Sequence, residues 1–538
     1  MLFSQFLHVA LALAAAFHLP ANASPVGAAN ELPVVDLGYA LFQAVDTTEP
    51  VYSFTNIRYA TAPRFSKPIY PPPTNRSQIN NGTVQSTCPQ AYPAWEYAAI
   101  DYLNGDEDLT NYTTAELEDP SLVPGIVYYD EDCLHLDIQV PQDFYDNHST
   151  SDNSSLLPIV VWIHGGGFVQ GDKSTDGNGT GLITRAKQLG SDGIMFVAIN
   201  YRLGMFGWLP AETPDDTANL GLHDISTALQ WVQDYAHLFG GDANQVTILS
   251  ESAGCGVAIS LLATWCEEEP IPLPFHQVVL QSPWTGLGSN NTWRTSYQKV
   301  FQTANASTLD QLRQLDTKTA QGVNYDVVTS SPYGSFTFSP VFNWTSLTSR
   351  SDNVSFVVGS NSAEGVLFAA PNTKDEDDYL NAIQAIVPDV SYDILQELTD
   401  ELYPSEDFDN QLDRLRITLA DLTIHCNAYK VLSAYPHSSY DYQYAIGDGL
   451  HSSDLWYTFY DNDPDTLPEE NITVAEVFQG YLVSFFLGDS PPVAGVQGLP
   501  VLPLWAGNEA INYTTSGIIL EPAAWINGTI CDKWSQVL

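Results

Sequence analysis

The chain has 538 residues, with 64 Asp or Glu against 18 Lys or Arg and a formal net charge of −46. A field of that sign repels polyanions and leaves few cations for phosphate contacts, which excludes nucleic acid and an anionic membrane surface as partners. The hydrophobic share of 44% and the aromatic share of 12% are those of a globular chain with a sizeable core, so disorder from low hydropathy is excluded as well.

In chain order, the first 23 residues carry no charged side chain and hold an apolar run from Val9 to Phe17, then Pro20 and the small-residue site Ala21-Asn22-Ala23. This pattern reads as a secretory signal peptide cleaved before Ser24, although the usual basic residue near Met1 is absent. No other run reaches the ~20 apolar residues of a membrane span. The polar end, Cys531 to Leu538, lacks the hydrophobic tail of a lipid-anchor signal. Secretion is supported independently by N-x-Ser/Thr acceptors at Asn75, Asn81, Asn111, Asn147, Asn153, Asn178, Asn290, Asn305, Asn343, Asn353, Asn471, Asn512 and Asn527. Several of these, not all, are expected to carry N-glycans. The six cysteines, at 88, 133, 255, 266, 426 and 531, include no C-x-x-C pair. Disulfides are therefore expected in place of a zinc or redox site, with fifteen full pairings open to six cysteines.

Short, continuous apolar runs at Leu157–Ile163 and Gly193–Ile199 read as strands buried on both faces. Ile225, Ala228, Leu229, Val232 and Ala236 follow at spacings of three and four and predict a helix. Then come a strand at Gln245–Leu249, a helix from Ala253 to Ala263, and strands at His276–Leu280, Phe356–Val358 and Tyr442–Ile446, with a long helix from Val474 to Leu487. The patches 146–155, 172–181 and 288–292 are polar and read as surface loops. Alternating strands and helices predict an α/β fold, a mostly parallel sheet with helices on both faces. No repeat or linker divides the chain, so residues 24–538 are expected to form a single domain.

Chemistry concentrates where the strand ending at Leu249 meets the helix beginning near Ala253, at Ser250-Glu251-Ser252-Ala253-Gly254. A serine on such a turn can present its hydroxyl at a helix N-terminus, whose dipole favours developing negative charge. The usual pattern is G-x-S-x-G, and Ser250 replaces its first glycine. Upstream, the strand ending at Ile163 runs into His164-Gly165-Gly166-Gly167-Phe168, whose glycines can turn backbone N–H groups toward an oxyanion. An HGGG run after one strand, with a serine elbow on a later strand, matches the oxyanion arrangement of lipases and esterases.

With these motifs on the page, the chain resembles the type B carboxylesterase/lipase family, the cholinesterase-like branch of the α/β-hydrolases. The likeness extends through Glu131-Asp132-Cys133-Leu134, Asn200-Tyr201-Arg202-Leu203-Gly204, Leu229-Gln230-Trp231-Val232-Gln233, Phe239-Gly240-Gly241-Asp242 and Leu280-Gln281-Ser282. The resemblance implies an α/β-hydrolase fold and a serine carboxylesterase needing no metal or other cofactor, with a small-molecule ester as its partner. It places the acid at Glu364, in the Glu364-Gly365 step after a strand, and the base at His451, giving the order Ser252, Glu364, His451. Backbone amides of Gly166, Gly167 and Ala253 would form the oxyanion hole, and Glu251 with Ser282 a supporting network behind the triad. His164 is read as fixing the glycine loop, not as a base, and His437, which precedes its strand, as a surface residue.

The resemblance also pairs Cys88 with Cys133 and Cys426 with Cys531, leaving Cys255 and Cys266 unpaired. Closing the first loop would stabilise the fold by about 4 kcal/mol on chain-entropy grounds. The segment it encloses is acidic and aromatic, with no clean apolar face, which favours soluble esters over a lipase reading at an oil–water interface. A catalytically inactive binding relative is the rival from another class, and the presence of all three triad residues argues against it. Phe168 and Trp284 are expected to line the substrate gorge. Surrounding carboxylates are expected to raise the pKa of His451, so that activity declines on acidification.

Overall fold

The computed structural model describes residues 32–538 apart from 46–49, 84, 148–155, 176, 213–215, 268–272, 343, 345–346, 348–353, 462, 464–466 and 468. The signal-peptide reading of residues 1–23 lies outside the described residues, as do the acceptors Asn153, Asn343 and Asn353.

The main sheet has ten strands among the described residues: β1 (Val51–Arg58), β2 (His135–Pro141), β3 (Leu157–Ile163), β4 (Met195–Ile199), β5 (Gly241–Glu251), β6 (Gln277–Gln281), β7 (Ser355–Asn361), β8 (Ser439–Ala445), β9 (Glu509–Thr514) and β10 (Gly517–Pro522). Their spatial order is β1-β2-β4-β3-β5-β6-β7-β8-β9-β10. From β4 to β9 every neighbour is parallel, while β1, β2 and β10 pair antiparallel at the two margins. The fold is an α/β-hydrolase fold. Register aligns Ile163 with Ser250, Glu251 with Gln281 and Gln281 with Gly359, so the strands reach one edge together.

The unbroken apolar strands feed two cores. Ile159, Val161 and Ile163 of β3 enter one cluster, and Val160 and Trp162 the other. On the first face lie α3 (Leu220–Tyr235) and α4 (Ala253–Glu267), preceded in the chain by α1 (Ala94–Asn104) and α2 (Thr180–Gln188). Ile225, Ala228, Leu229 and Val232 are the buried stripe of α3. The opposite face is covered by α2 and by α7 (Glu469–Phe486), the latter coming after α5 (Asn290–Thr303) and α6 (Cys426–Ala434) in the chain. A third cluster joins Trp95, Ala98 and Ala99 of α1 to Phe368, Tyr379 and the Cys426–Cys531 bridge.

Element boundaries shift where hydrogen bonding outruns side-chain pattern. The β5 ladder extends from Gly241 to Glu251, and β8 begins at Ser439 and ends before Ile446. The patch 288–292 is not all loop, because Ser289 caps α5 by accepting from the Thr292 amide. Both expected disulfides form, Cys88–Cys133 across 45 residues and Cys426–Cys531 across 105. Cys255 is free and buried. Nothing is described of the Cys266 side chain. Of the glycan acceptors, Asn75, Asn81, Asn111, Asn147, Asn178, Asn305 and Asn527 are exposed and Asn471 is half-buried. At Asn512 the side-chain nitrogen that a glycan would occupy donates to Glu521 (2.7 Å) and Gln443 (3.3 Å).

One core residue opposes the fold. Asp441 of β8 is buried, and among the described residues neither carboxyl oxygen meets hydrogen-bond geometry, the nearby Trp525 indole and Tyr442 backbone amide offsetting only part of its burial. Burial pushes its pKa well above the usual carboxylate range. Its carboxyl thus binds a proton in the folded state that the unfolded chain has released, and its contribution to stability falls as pH rises above the unfolded value near 4. Asp441→Asn is accordingly expected to unfold at a higher temperature than the parent at pH 8, with the difference shrinking toward pH 4. Thermal unfolding at the two pH values measures it.

Candidate active site

The chemistry gathers at the carboxyl edge of the parallel strands, where an open α/β sheet places its ligands. Ser252 directly follows β5 and has φ +50°, a left-handed backbone that a side chain rarely adopts. The elbow is clamped at both ends. The Ser252 amide donates to Gln281 O (2.9 Å), while Ser252 O accepts from the amides of Cys255 (3.0 Å) and Trp284 (3.2 Å). Ser250 sits where a glycine was expected, and its hydroxyl donates to Val279 O on the next strand (2.9 Å). The extra group is thus absorbed inside the sheet.

His451, beyond β8, brings Nε2 to 2.9 Å from Ser252 Oγ, and its Nδ1 lies 2.6 Å from Glu364 Oε2. Glu364, after β7, has no exposed surface and is surrounded by donors. The Ser282 hydroxyl (2.6 Å) and the Asn361 amide (2.6 Å) both donate to Oε1. Burial works against its charge, but His451, Ser282 and Asn361 outweigh it and hold the carboxyl below its ordinary range. For His451, burial pulls the pKa down, and the carboxylate of Glu364, with smaller help from Glu251 and Asp454, overcomes this and holds it at about 9. The expected direction holds, through these near carboxylates.

The glycine run turns beside the elbow. Gly166 and Gly167 have φ +97° and +59°, and a Cβ on Gly165 would stand 3.1 Å from Ser252 Cβ. Among the described residues no hydrogen bond engages the amides of Gly166, Gly167 or Ala253. His164 fixes this loop, its Nδ1 donating to Gly165 O (2.9 Å) and its ring stacking on Tyr201, whose hydroxyl donates to His164 O (2.8 Å). The next residue, Arg202, binds Asp224 of α3 through two 2.7 Å hydrogen bonds, which ties the loop to the core.

Glu251 and Ser282 are linked through Glu364 and His451, not to each other. The strand ends separate them, so Ser282 serves Glu364, whereas Glu251 accepts from the Ser452 hydroxyl and lies 3.4 Å from His451 Nε2. Burial pushes the Glu251 carboxyl up to about 8, so near neutral pH it is mostly protonated and lends His451 little charge; above that it ionises and does. Three residues escaped the sequence reading. Asp454 accepts from Tyr442 (2.6 Å), Gln281 (3.0 Å) and Asn361 (3.2 Å), Asn361 bridges Asp454 to Ser282, and Ser452 holds Glu251. None belongs to a spaced pattern, although Asp454 stands within the His451-Ser452-Ser453-Asp454 stretch.

A cavity of about 440 Å³ is lined by Trp284, Trp293, Phe336, Ile386, Lys299 and Asp389, and by no residue of the Ser252–His451–Glu364 line or the glycine run. Phe168 is absent from its wall. It is fully buried, with ring centroids 5.2 and 5.5 Å from Trp208 and Trp284, so it belongs to the core.

The sequence pattern of the carboxylesterase family matches residues 41–504. The chain belongs to the carboxylesterase family. It is 31% identical to carboxylesterase patB of Aspergillus clavatus over 96% of this chain and 97% of that protein. Carboxylesterase patB of Penicillium expansum is 30% identical over 95% and 96%. Among solved structures, Aspergillus niger EstA superposes with a TM-score of 0.74 at 23% identity, covering 94% of this chain and 98% of EstA. The protein is a carboxylic ester hydrolase.

With His451 as the expected base of this carboxylesterase, its neutral imidazole is the form able to take a proton, and acidification through its raised pKa would remove that form. The kcat/KM of the free enzyme should fall as pH drops below about 9, well above the ordinary histidine value near 6.5. Glu251→Gln removes a carboxylate that is ionised in that range, and its acid limb should move to lower pH. A kcat/KM profile of both proteins from pH 5 to 10 checks this, and an unmoved limb contradicts it.

Proposed function

We propose that the protein is a secreted, N-glycosylated serine carboxylesterase that hydrolyses small soluble esters through an acyl-enzyme on Ser252, and that its mature chain is a single domain. One observation carries the reading: Ser252 Oγ, the His451 imidazole and the Glu364 carboxyl stand in a continuous line of 2.9 and 2.6 Å contacts beside a run of unengaged glycine amides. His451 Nε2 takes the Ser252 proton as Oγ attacks the ester carbonyl, and Glu364 orients the ring and balances the imidazolium. The amides of Gly166, Gly167 and Ala253 receive the oxyanion, each such donor contributing roughly 3 kcal/mol. The imidazolium protonates the departing alcohol. Water, activated by the same ring, then releases the acid and frees Ser252.

The domain reading is supported by one sheet that draws strands from Val51 to Pro522. Secretion is supported by the uncharged N-terminal run, two paired disulfides and the exposed glycan acceptors. The preference for soluble esters is supported by α1, whose apolar face is already packed: Trp95 rests on Tyr333, Phe336 and Phe368.

Two measurements test the proposal. A fluorophosphonate probe should label the protein once, at Ser252 by peptide mapping, and Ser252→Ala should lose labelling together with roughly 10⁴-fold or more in kcat. Labelling elsewhere, or none, overturns the reading. The cavity borders the glycine run through Phe336, whose ring a Cβ on Gly167 would meet at 2.2 Å, and its 440 Å³ fits a bulky aromatic group. Across an ester panel, aromatic esters should therefore show higher kcat/KM than acetates of simple alkanols. The rate should not jump when substrate exceeds its solubility, whereas a jump would favour a lipase.

A further inference from the structure

The disulfide-closed segment between Cys88 and Cys133 is laced to the turn that follows the glycine run. The Ala91 amide donates to Val169 O (3.1 Å), and the Gly171 amide donates to Gln90 Oε1 (2.7 Å). Between them, Gln170 Nε2 donates to both oxygens of Glu96, at 2.8 and 2.7 Å. Burial pushes the Glu96 carboxyl up to about 7 against the opposing pull of Gln170 and His451, so above that pH the carboxyl is ionised and these two bonds are charge-assisted.

Gln170 in turn grips Gly166. Its amide donates to Gly166 O (3.0 Å), as does that of Val169. A Cβ on Gly166 would stand 2.3 Å from Gln170 O and 2.8 Å from Gln170 Cγ, so backbone and side chain of Gln170 both lie against that glycine. Glu96 has a fixed base of its own. It sits in the first turn of α1, where the helix dipole favours a carboxylate, and its neighbour Trp95 donates to Ser335 O (2.8 Å).

We infer that Glu96, acting through Gln170, is a positioning residue that holds the Gly166 and Gly167 amides where the oxyanion develops. This rests on the proposed oxyanion role of those glycines. Donors contribute only when aimed at the place where charge appears, and a misplacement of about 1 Å costs roughly 100-fold. The anchor lies outside the triad, on a separate segment closed by its own disulfide.

The test uses the full-length protein with Glu96→Ala, Gln170→Met, the double variant and Glu96→Gln, each assayed for kcat, KM, thermal midpoint and labelling of Ser252. Glu96→Ala and Gln170→Met should each lower kcat by roughly 10- to 100-fold with KM changed by less than about threefold. The double variant should be no slower than the slower single, because both remove one linkage. Glu96→Gln keeps an oxygen that can accept from Gln170 and should recover much of the lost kcat. A kcat within about twofold of the parent for Glu96→Ala, or losses that multiply in the double variant, overturns the inference. Should Glu96→Ala fail to fold, Gln170→Met decides alone, since it preserves length against Gly166 and a parental kcat overturns the inference. Parent protein that labels at Ser252 while the variants keep their kcat sinks the positioning role only. Parent protein that fails to label there sinks the catalytic reading beneath it.

Discussion

A carboxylate with no exposed surface stays charged only where neighbours replace the water it has lost, and Glu364 is fitted with such neighbours on every side. Ser282 arrives from the end of β6, Asn361 from the end of β7 and His451 from beyond β8. Three strand ends must therefore reach the same depth. The parallel register supplies that, since a slip of one residue would turn each of these side chains to the other face of the sheet. Geometry and electrostatics are one requirement here: the sheet aligns the donors, and the donors keep a charge in the core that holds the imidazole.

That dependence explains why so much of the site could be read from the sequence. Strands β3 and β4 are continuous apolar runs, and a motif stands at the end of β3 and of β5. A motif at a strand end needs no long-range information to be placed at the carboxyl edge, and His164 to Phe168 and Ser252 were placed in that way. Glu364 was different. With 64 acidic residues to choose from, only the family likeness singled it out, and its distance to His451 Nδ1 is a product of the whole sheet.

What stayed hidden has a common physical character. Glu251 and Ser282 are expected together in a supporting network, yet Glu251 ends β5, Ser282 follows the adjacent β6, and sequence order does not say which carboxylate a hydroxyl reaches. Asn361 and Asp454 act through hydrogen bonds across strands, and such contacts leave no periodic trace. Strand β1 alternates poorly because its register with β2 shifts between Phe54 and Ile57. Helix α5 was read partly as a loop, since Asn290, Asn291 and Thr292 are weak helix formers that the Ser289 cap makes tolerable. Buried Asp441 is invisible in another way: nothing local distinguishes a strand aspartate whose burial outweighs the neighbours it finds.

Ser452 shows how backbone strain and charge placement combine. Its φ of +69° costs of the order of 1–3 kcal/mol for a residue with a side chain. In return its hydroxyl donates to Glu251 Oε1, the same oxygen that lies 3.4 Å from His451 Nε2. Without that donor, the buried carboxyl would have one strong partner within reach, the imidazole nitrogen, and would compete with Ser252 Oγ for it. By occupying the oxygen, Ser452 leaves the 2.9 Å contact between Nε2 and the Ser252 hydroxyl as the shorter of the two. In the proposed mechanism the strained residue beside His451 thus separates two roles that a pair of nearby carboxyls would otherwise confuse: Glu364 would orient the ring through Nδ1, and Glu251 would tune its charge while leaving Nε2 to Ser252.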